Sequence, residues 1–347
     1  MVSYKSETKS PKIQRNFSVA IGVDSADFII SEEDKGKRLD RFLTENFREY
    51  SRSFLQKLIK TEGALVNNKK VSPHYFLRID DKIEIKEKDL KRLKKAKEID
   101  LKPTMGMKLN VVYEDSNFLI INKPSGLVVH PSISHPRDTL VNILLARYPS
   151  IKGVGESKLR PGIVHRLDKN ASGLLVIAKT RKAFDHLKRQ FQTRKVFKEY
   201  TILTWGEVKE DRGIIDLSIG RSKRVPTKMV VKREKEGRRA ETHFKVIKYF
   251  KNFTLLKAQT KTGRTHQVRV HFNAIGYPIV GDKRYGKINR RSLWAYRPKG
   301  PGAKIKNNLD RLFLHASRLG FYDLDEKWRE FKIALPEKLK GYLDKLK

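Results

Sequence analysis

Apolar residues recur along this chain at two different spacings, and the change falls near Met107. Before that point helical spacing dominates. Leu39, Phe42, Leu43 and Phe47 share one face of a helix, and Phe54, Leu55, Leu58 and Ile59 share one face of a second. Ser51 or Ser53 is placed to cap the second helix and Gly63 to end it. Two short strands around polar turns follow, in "ALVNNKKV" and "DDKIEIKE". Gly36 to about Glu87 therefore reads as one compact α/β unit. Residues 1–16 are polar and basic and read as a flexible tail, and "KDLKRLKKAKEIDLKPT" over 88–104 reads as a charged linker. The boundaries expected are 1–16 for the tail, 17–90 for the small module, 91–106 for the linker and 107–340 for a second domain.

In that second domain short apolar runs alternate with turns. "NVVYEDSNFLIINKPSG", "SGLLVIAKT", "KEYTILTWGEV", "THFKVIKYF", "FTLLKAQT" and "THQVRVHF" predict strands. "TLVNILLARY" and "RKAFDHLKRQFQT" are the clearest helices, and Lys287 to Asp310, with Trp294 and Tyr296, reads as a long loop. Many strands with segregated helices predict an α+β fold around a mostly antiparallel sheet. No tandem repeat at a fixed period is present.

Charge changes the picture from fold to partner. The chain has 77 Lys+Arg against 39 Asp+Glu, a net charge of +38. Such an excess favours a polyanionic partner, nucleic acid first and an anionic membrane surface second. No apolar run approaches the roughly 18 residues that span a bilayer. The first 16 residues lack the apolar core of a secretory signal. Cysteine is absent, which removes disulfides, thiolate nucleophiles and cysteine-based zinc sites, and a cytoplasmic location is expected. In the module the basic residues Arg38, Arg41, Arg48, Arg52, Lys57, Lys60, Lys69 and Lys70 crowd the polar faces. A solvated charged face would explain them as readily as RNA contact does.

The common nucleotide-binding patterns fail. Neither G-x-x-x-x-G-K-[ST] nor G-x-G-x-x-G after a strand occurs, and the histidines form no H-E-x-x-H. His266 and His271 are five apart, on opposite faces if their segment is a strand. No metal and no other cofactor is therefore expected.

Three segments could carry chemistry. In "RPGIVHRLDKNASGLLVIAKT" a short apolar strand feeds a polar turn that presents Asp168, and another strand leaves it. Taken alone, Asp168 is better explained by an Asx turn, which Asn170, Ser172 and Gly173 also favour. In "KTGRTHQVRVHF" Gly263 permits an unusual turn, from which Arg264 projects beside a strand carrying Arg269. In "KEYTILTWG" Tyr200 starts a strand, where a tyrosine is ordinarily core.

Together the three match one pattern. With "VVYEDSNFLIINKPSGLVVHPS", "IVGDKRYG" and "LFLHASRLGF", residues 111 to 321 resemble the pseudouridine synthase family that acts on large-subunit ribosomal RNA, the RluA-type family. Ala171 departs from the Thr common in that family, and "GFYDLDEKW" stands where a His-Pro pair is usual. Residues 36–87, with "RLDRFL", "SRSFLQKLI" and "GALVNNKKV", resemble the alpha-L RNA-binding module shared by a small-subunit ribosomal protein and several RNA-modifying enzymes.

The resemblance implies an isomerase that turns uridine into pseudouridine in structured RNA. It implies that Asp168 is the essential carboxylate and that Arg166 fills the stack when the uridine flips out. Tyr200 would pack against the flipped base, and Arg264 would pair with Asp168. For the module it implies RNA contacts, for which Arg38, Arg41, Arg52, Lys57, Lys69 and Lys70 are the candidates. The chemistry asks for these residue types. The carboxylate must stay charged in a dry site, which a paired guanidinium ensures. The detached uracil must be held, and a stacking aromatic does so. The proton on carbon 5 must finally leave. The Tyr200 hydroxyl is a candidate base for it, provided a cation such as Arg264 makes it more acidic. The enzyme is expected to act as a monomer. Transfer RNA is the alternative substrate. A non-catalytic ribosome-assembly factor and a hydrolase that releases free uracil are the alternatives of other classes.

Overall fold

The computed structural model describes residues 25–47, 50, 52–86, 101–132, 134–286 and 309–346. The 1–16 tail, the first part of the linker, Arg48, Ser51, Trp294 and Tyr296 lie outside the described residues. The chain divides into two compact units, Met1–Glu98 and Ile99–Lys347.

The first unit contains β1 (Ser25–Ile29), α1 (Leu39–Asn46), α2 (Arg52–Lys60), β2 (Ala64–Val66) and β3 (Lys82–Lys86). Its antiparallel sheet has the order β1-β3-β2. The apolar faces predicted from spacing form its core, with Leu39, Leu43, Leu55, Leu58 and Ile59 fully buried. β1 is additional to the predicted elements, because "SADFI" is too short and mixed to give a period. Ser53 lies inside α2 rather than capping it. The buried Asp40 carboxylate accepts hydrogen bonds from Arg38, Arg52 and Gln56. Burial alone would raise it, but Gln56, Arg38 and Arg52 hold it down at about 2. Two of the candidate RNA-contacting arginines, Arg38 and Arg52, are thus turned onto Asp40. Arg41, Lys57 and Lys69 are exposed and join no ion pair among the described residues.

The second unit begins with β4 (Val111–Glu114), β5 (Phe118–Lys123), α3 (Leu140–Arg147), β6 (Ser172–Ala178), α4 (Arg181–Gln192) and β7 (Phe197–Trp205). It continues with β8 (Arg212–Asp216), β9 (Ile219–Arg221), β10 (Met229–Val231), β11 (Glu241–Phe250), β12 (Phe253–Thr260) and α5 (Gln267–Ala274). β13 (Leu314–Tyr322), β14 (Trp328–Lys332) and α6 (Glu337–Asp344) complete it. The main sheet runs β4-β5-β6-β13-β7-β12-β11-β8, with β14 also on β13. Every pairing is antiparallel except β6 with β13, so the fold is α+β around a mostly antiparallel sheet, as expected. The unit reaches beyond 107–340 at both ends. Leu101, Tyr342 and Leu343 pack on its core, and the Asn142 amide donates to the Lys102 carbonyl. "GFYDLDEKW" forms the β13–β14 hairpin, with Tyr322 opposite Trp328.

"THQVRVHF" is a correction. It forms α5, not a strand. Gln267 to Phe272 are all buried, so the helix has no polar face to reveal a 3.6 period, and V-R-V-H-F imitates alternation. His266 therefore precedes a helix and His271 lies within it.

The sheet changes partners at one point that positions the site. Ala316 pairs with Gly173 on one side and Tyr200 on the other. Gly173 has φ +119°, and a Cβ there would lie 2.3 Å from the Ala316 carbonyl oxygen. Only glycine lets β6 and β13 approach so closely. The turn before β6 is thereby brought toward the Tyr200 end of β7.

Candidate active site

After residue 173, β6 no longer pairs with β13, and residues 162–165 take over its open edge. Ala178 N–H donates to the Gly162 carbonyl at 2.9 Å, Ile163 bridges Ile177, and Val176 N–H donates to His165 Nε2 at 3.0 Å. The short strand expected before Asp168 is thus one bridge plus a side chain standing in for backbone. The His165 ring stacks on Phe191, with centroids 4.6 Å apart. Burial and the Lys198 charge push it down to about 3, so it is neutral, as an acceptor at Nε2 must be. Asp168 follows in a turn closed by Ala171 N–H to its own carbonyl at 3.1 Å. "NKPSG" braces that turn: Gly126 N–H donates to the Lys169 carbonyl at 2.8 Å and the Ser125 hydroxyl to the Asn170 carbonyl at 2.7 Å.

Arg269, not Arg264, is the ion-pair partner of Asp168. Its Nη1 donates to Asp168 Oδ2 at 3.0 Å. Its Nε and Nη2 fork onto Asp282 at 2.7 and 2.9 Å. Asp282 also accepts the backbone N–H groups of Arg284 and Tyr285. Burial opposes the charge of both partners. The bonds to Asp282 and then the charge of Asp168 nevertheless raise the Arg269 guanidinium, and Arg269 lowers the Asp282 carboxyl. Arg264 lines the same cavity, but its Nε donates to the Arg239 carbonyl at 3.1 Å. The reason is the helix: α5 turns Arg269 inward, whereas Arg264 sits in the loop before it. Gln267 ties that loop down, accepting from Thr262 and the Arg264 N–H and donating to the Glu241 carbonyl.

Asp168 and Tyr200 line one cavity of about 600 Å³, with Arg166 and Arg264 also on its walls. Asp168 is the sole carboxylate among the residues lining it, against eight Lys and Arg. Its Oδ1 accepts no hydrogen bond among the described residues, His266 Nε2 lying 4.0 Å away. His266 Nδ1 is 2.8 Å from the Tyr285 hydroxyl, and the Arg269 guanidinium lies over the Tyr285 ring at 4.9 Å. Arg166 is exposed and pairs with no carboxylate among the described residues. Burial, and then the Asp168 charge, raise the Tyr200 hydroxyl well above its ordinary value. The acidifying cation expected of Arg264 is not what the site provides, and Tyr200 stays a neutral phenol at physiological pH.

Sequence reasoning assigned no role to Arg269, Asp282 or Lys123. The fully buried Lys123 ammonium donates to the carbonyls of Pro124, Leu127 and Lys169. Burial pushes it down to about 7, while the charge of nearby Asp168 works the other way. The signal for all three was their place inside matched motifs, "NKPSG", "THQVRVH" and "IVGDKRYG". No group of three or more His, Cys, Asp or Glu poised for a metal occurs among the described residues. No described helix is long and apolar enough to cross a membrane.

The RNA pseudouridylate synthase family model matches residues 117–274, which span β5 to α5 and include the Asp168 turn, Tyr200 and Arg269. A Bacillus subtilis protein described as "uncharacterized RNA pseudouridine synthase YlyB" is 35% identical over 326 residues, covering 94% of this chain and 99% of its own. The chain belongs to the RNA pseudouridine synthase family. The Yersinia pestis "ribosomal large subunit pseudouridine synthase D" is 36% identical to this pseudouridine synthase, covering 92% of this chain and 93% of its own. Among solved structures, human RNA pseudouridylate synthase domain containing 4 superposes with a TM-score of 0.53 at 26% identity, over 68% of this chain and 92% of that one. The enzyme is thus an isomerase that converts uridine in RNA to pseudouridine.

Proposed function

We propose that this enzyme modifies specific uridines of large-subunit ribosomal RNA, with Asp168 as the reacting carboxylate. The carrying observation is a carboxylate that is alone in the cavity among the described residues, anchored by Arg269 through one oxygen and accepting no hydrogen bond from them at the other. The relatives named for the ribosomal large subunit support the substrate. Action as a monomer is part of the same proposal. A cytoplasmic location follows from that substrate.

The reaction breaks the bond between ribose C1′ and uracil N1 and joins C1′ to C5. The C5 proton leaves, N1 gains a proton, and the product is an isomer of the substrate. The uridine must first leave its stack at a cost of about a few kcal/mol, which contacts to the backbone offset. Exposed Arg166 on the cavity wall fills the gap. Asp168 Oδ1 then assists departure of the base, and Arg269 keeps the carboxylate ionised and aimed. The Tyr200 ring holds the detached uracil. Its neutral hydroxyl is not a base, so another group removes the proton from C5.

The test is incubation of the full chain with large-subunit ribosomal RNA and transfer RNA, each tritiated at uracil C5. Tritium release with pseudouridine formed in the ribosomal RNA is expected. Release from transfer RNA alone would replace the substrate. Free uracil would make the enzyme a hydrolase, and no reaction would favour an assembly factor.

A further inference from the structure

We propose that Arg194, Lys198 and Lys261 form a phosphate-binding cluster that holds one backbone phosphodiester of the RNA beside the target uridine. The proposal deepens the uridine-isomerising reading above and rests on it.

All three residues line the Asp168 cavity, and Arg194 and Lys261 also line an adjoining groove at the end of α4. Lys198 carries no hydrogen bond or ion pair among the described residues, and its ammonium lies over the Phe191 ring at 5.8 Å. The neighbouring carboxylate, Glu199, faces the other side of β7 and pairs with Lys257 at 3.2 Å. Burial, then Arg194 and Lys261, push the Lys198 ammonium down to about 8. A half-buried cation whose charged neighbours are cations lacks an anion, and RNA is the polyanion this enzyme acts on.

The backbone at Arg194 gives independent support. α4 ends in a left-handed cap: Lys195 N–H donates to the Gln190 carbonyl at 2.9 Å, and Arg194 has φ +61°. Glycine is the usual residue there, because a Cβ strains that conformation. An arginine at that position is unfavourable for the cap, which agrees with a use for its side chain.

The register says where the phosphate lies. Lys198 and Tyr200 are two apart on β7, so they project to the same face about 7 Å apart. That separation is comparable to the reach from a pyrimidine ring to the phosphate of its own nucleotide. A uracil on Tyr200 therefore places a phosphodiester within reach of Lys198, and the strand can leave through the groove past Arg194 and Lys261.

The test is a cycle between protein and RNA. Substrate RNAs carry a single neutral methylphosphonate at each linkage flanking the target uridine in turn. Their affinities for the full-length parent and for Lys198→Met are measured by fluorescence anisotropy. Neutralising one linkage is expected to weaken parent binding about tenfold, as loss of a charge-assisted hydrogen bond does. Lys198→Met should lose a similar factor, and the two changes together no more than either alone. Arg194→Gly should keep or raise the melting temperature while weakening RNA binding, and it replaces Lys198→Met in the cycle if that variant does not fold. Penalties that multiply at every linkage, an absent linkage effect in the parent, or parent-like binding by the variants would overturn the cluster. Tritium release by the parent on unmodified RNA reports separately on the underlying reading.

Discussion

Replacing Arg269 by lysine tests the geometry around Asp168 while keeping the charge. The guanidinium makes three bonds to two carboxylates, two to Asp282 and one to Asp168. An ammonium is a single point and cannot reproduce that fork. Asp282 is fully buried, so the lysine stays with it, and Asp168 loses its anchor. The lysine keeps one of the three bonds, and each charge-assisted bond lost is worth roughly 1.5–3 kcal/mol, so urea unfolding should register a loss of about 3 kcal/mol or more. A carboxylate displaced by about 1 Å costs on the order of a hundredfold in rate. Single-turnover tritium release from Arg269→Lys should therefore fall about a hundredfold, with RNA binding within about threefold of the parent. Arg264→Lys removes only a bond to the Arg239 carbonyl and should lose less than about tenfold in rate. The opposite ranking, with Arg264→Lys crippled and Arg269→Lys near normal, would refute the assignment of Arg269 as the anchor.

Three further outcomes follow from other parts of the molecule. His315 is fully buried, accepts from the Ser172 hydroxyl, donates to the Ala334 carbonyl, and is pushed down to about 4 mainly by burial. The unfolded chain takes up this proton near pH 6.5 and the folded one does not, so stability is lost as pH falls from about 6.5 toward 4, by about 2 kcal/mol at pH 5. Urea melts at pH 7 and 5 should show at least this loss, since His165 is depressed by burial too, and His315→Asn should reduce it by about 2 kcal/mol; an undiminished loss in the variant removes His315 as a cause. Neutralising Arg41, Lys57 and Lys69 together should make the dependence of log affinity on log salt shallower by about 2, and an unchanged slope would take these side chains off the RNA backbone. Because burial and Asp168 keep the Tyr200 hydroxyl protonated, the parent rate should not climb with pH between about 8 and 10. A tenfold rise per pH unit that vanishes in Tyr200→Phe would show a working phenolate.

Much of this was legible in the residues, for identifiable reasons. The helices of the first unit announced themselves because each has one apolar and one polar face. β6 read correctly because a strand buried at every position is a continuous apolar run. Asp168 and Tyr200, both singled out from the sequence, line one cavity. The misreading of α5 had the largest consequence. Buried all round, it offers no helical period, and as a strand it would have turned Arg269 away from the site. The pairing of Arg264 with Asp168 came from the resemblance, and the strand reading of "THQVRVHF" offered nothing to set against it. Asp282 and Lys123 act through long-range contacts, across 13 residues to Arg269 and 46 residues to the Lys169 carbonyl, which local patterns cannot register.

The central claim is that Asp168 performs chemistry rather than holding a turn. Asp168→Asn keeps the size of the side chain and an oxygen for Arg269 Nη1, and removes the ionisable group. Pseudouridine formed in ribosomal RNA by the full-length parent and variant, measured beside RNA affinity, decides it. Affinity within about threefold of the parent, with turnover reduced by at least about a thousandfold, is the predicted result. Pseudouridine formation within about tenfold of the parent would contradict the account and leave Asp168 a structural residue.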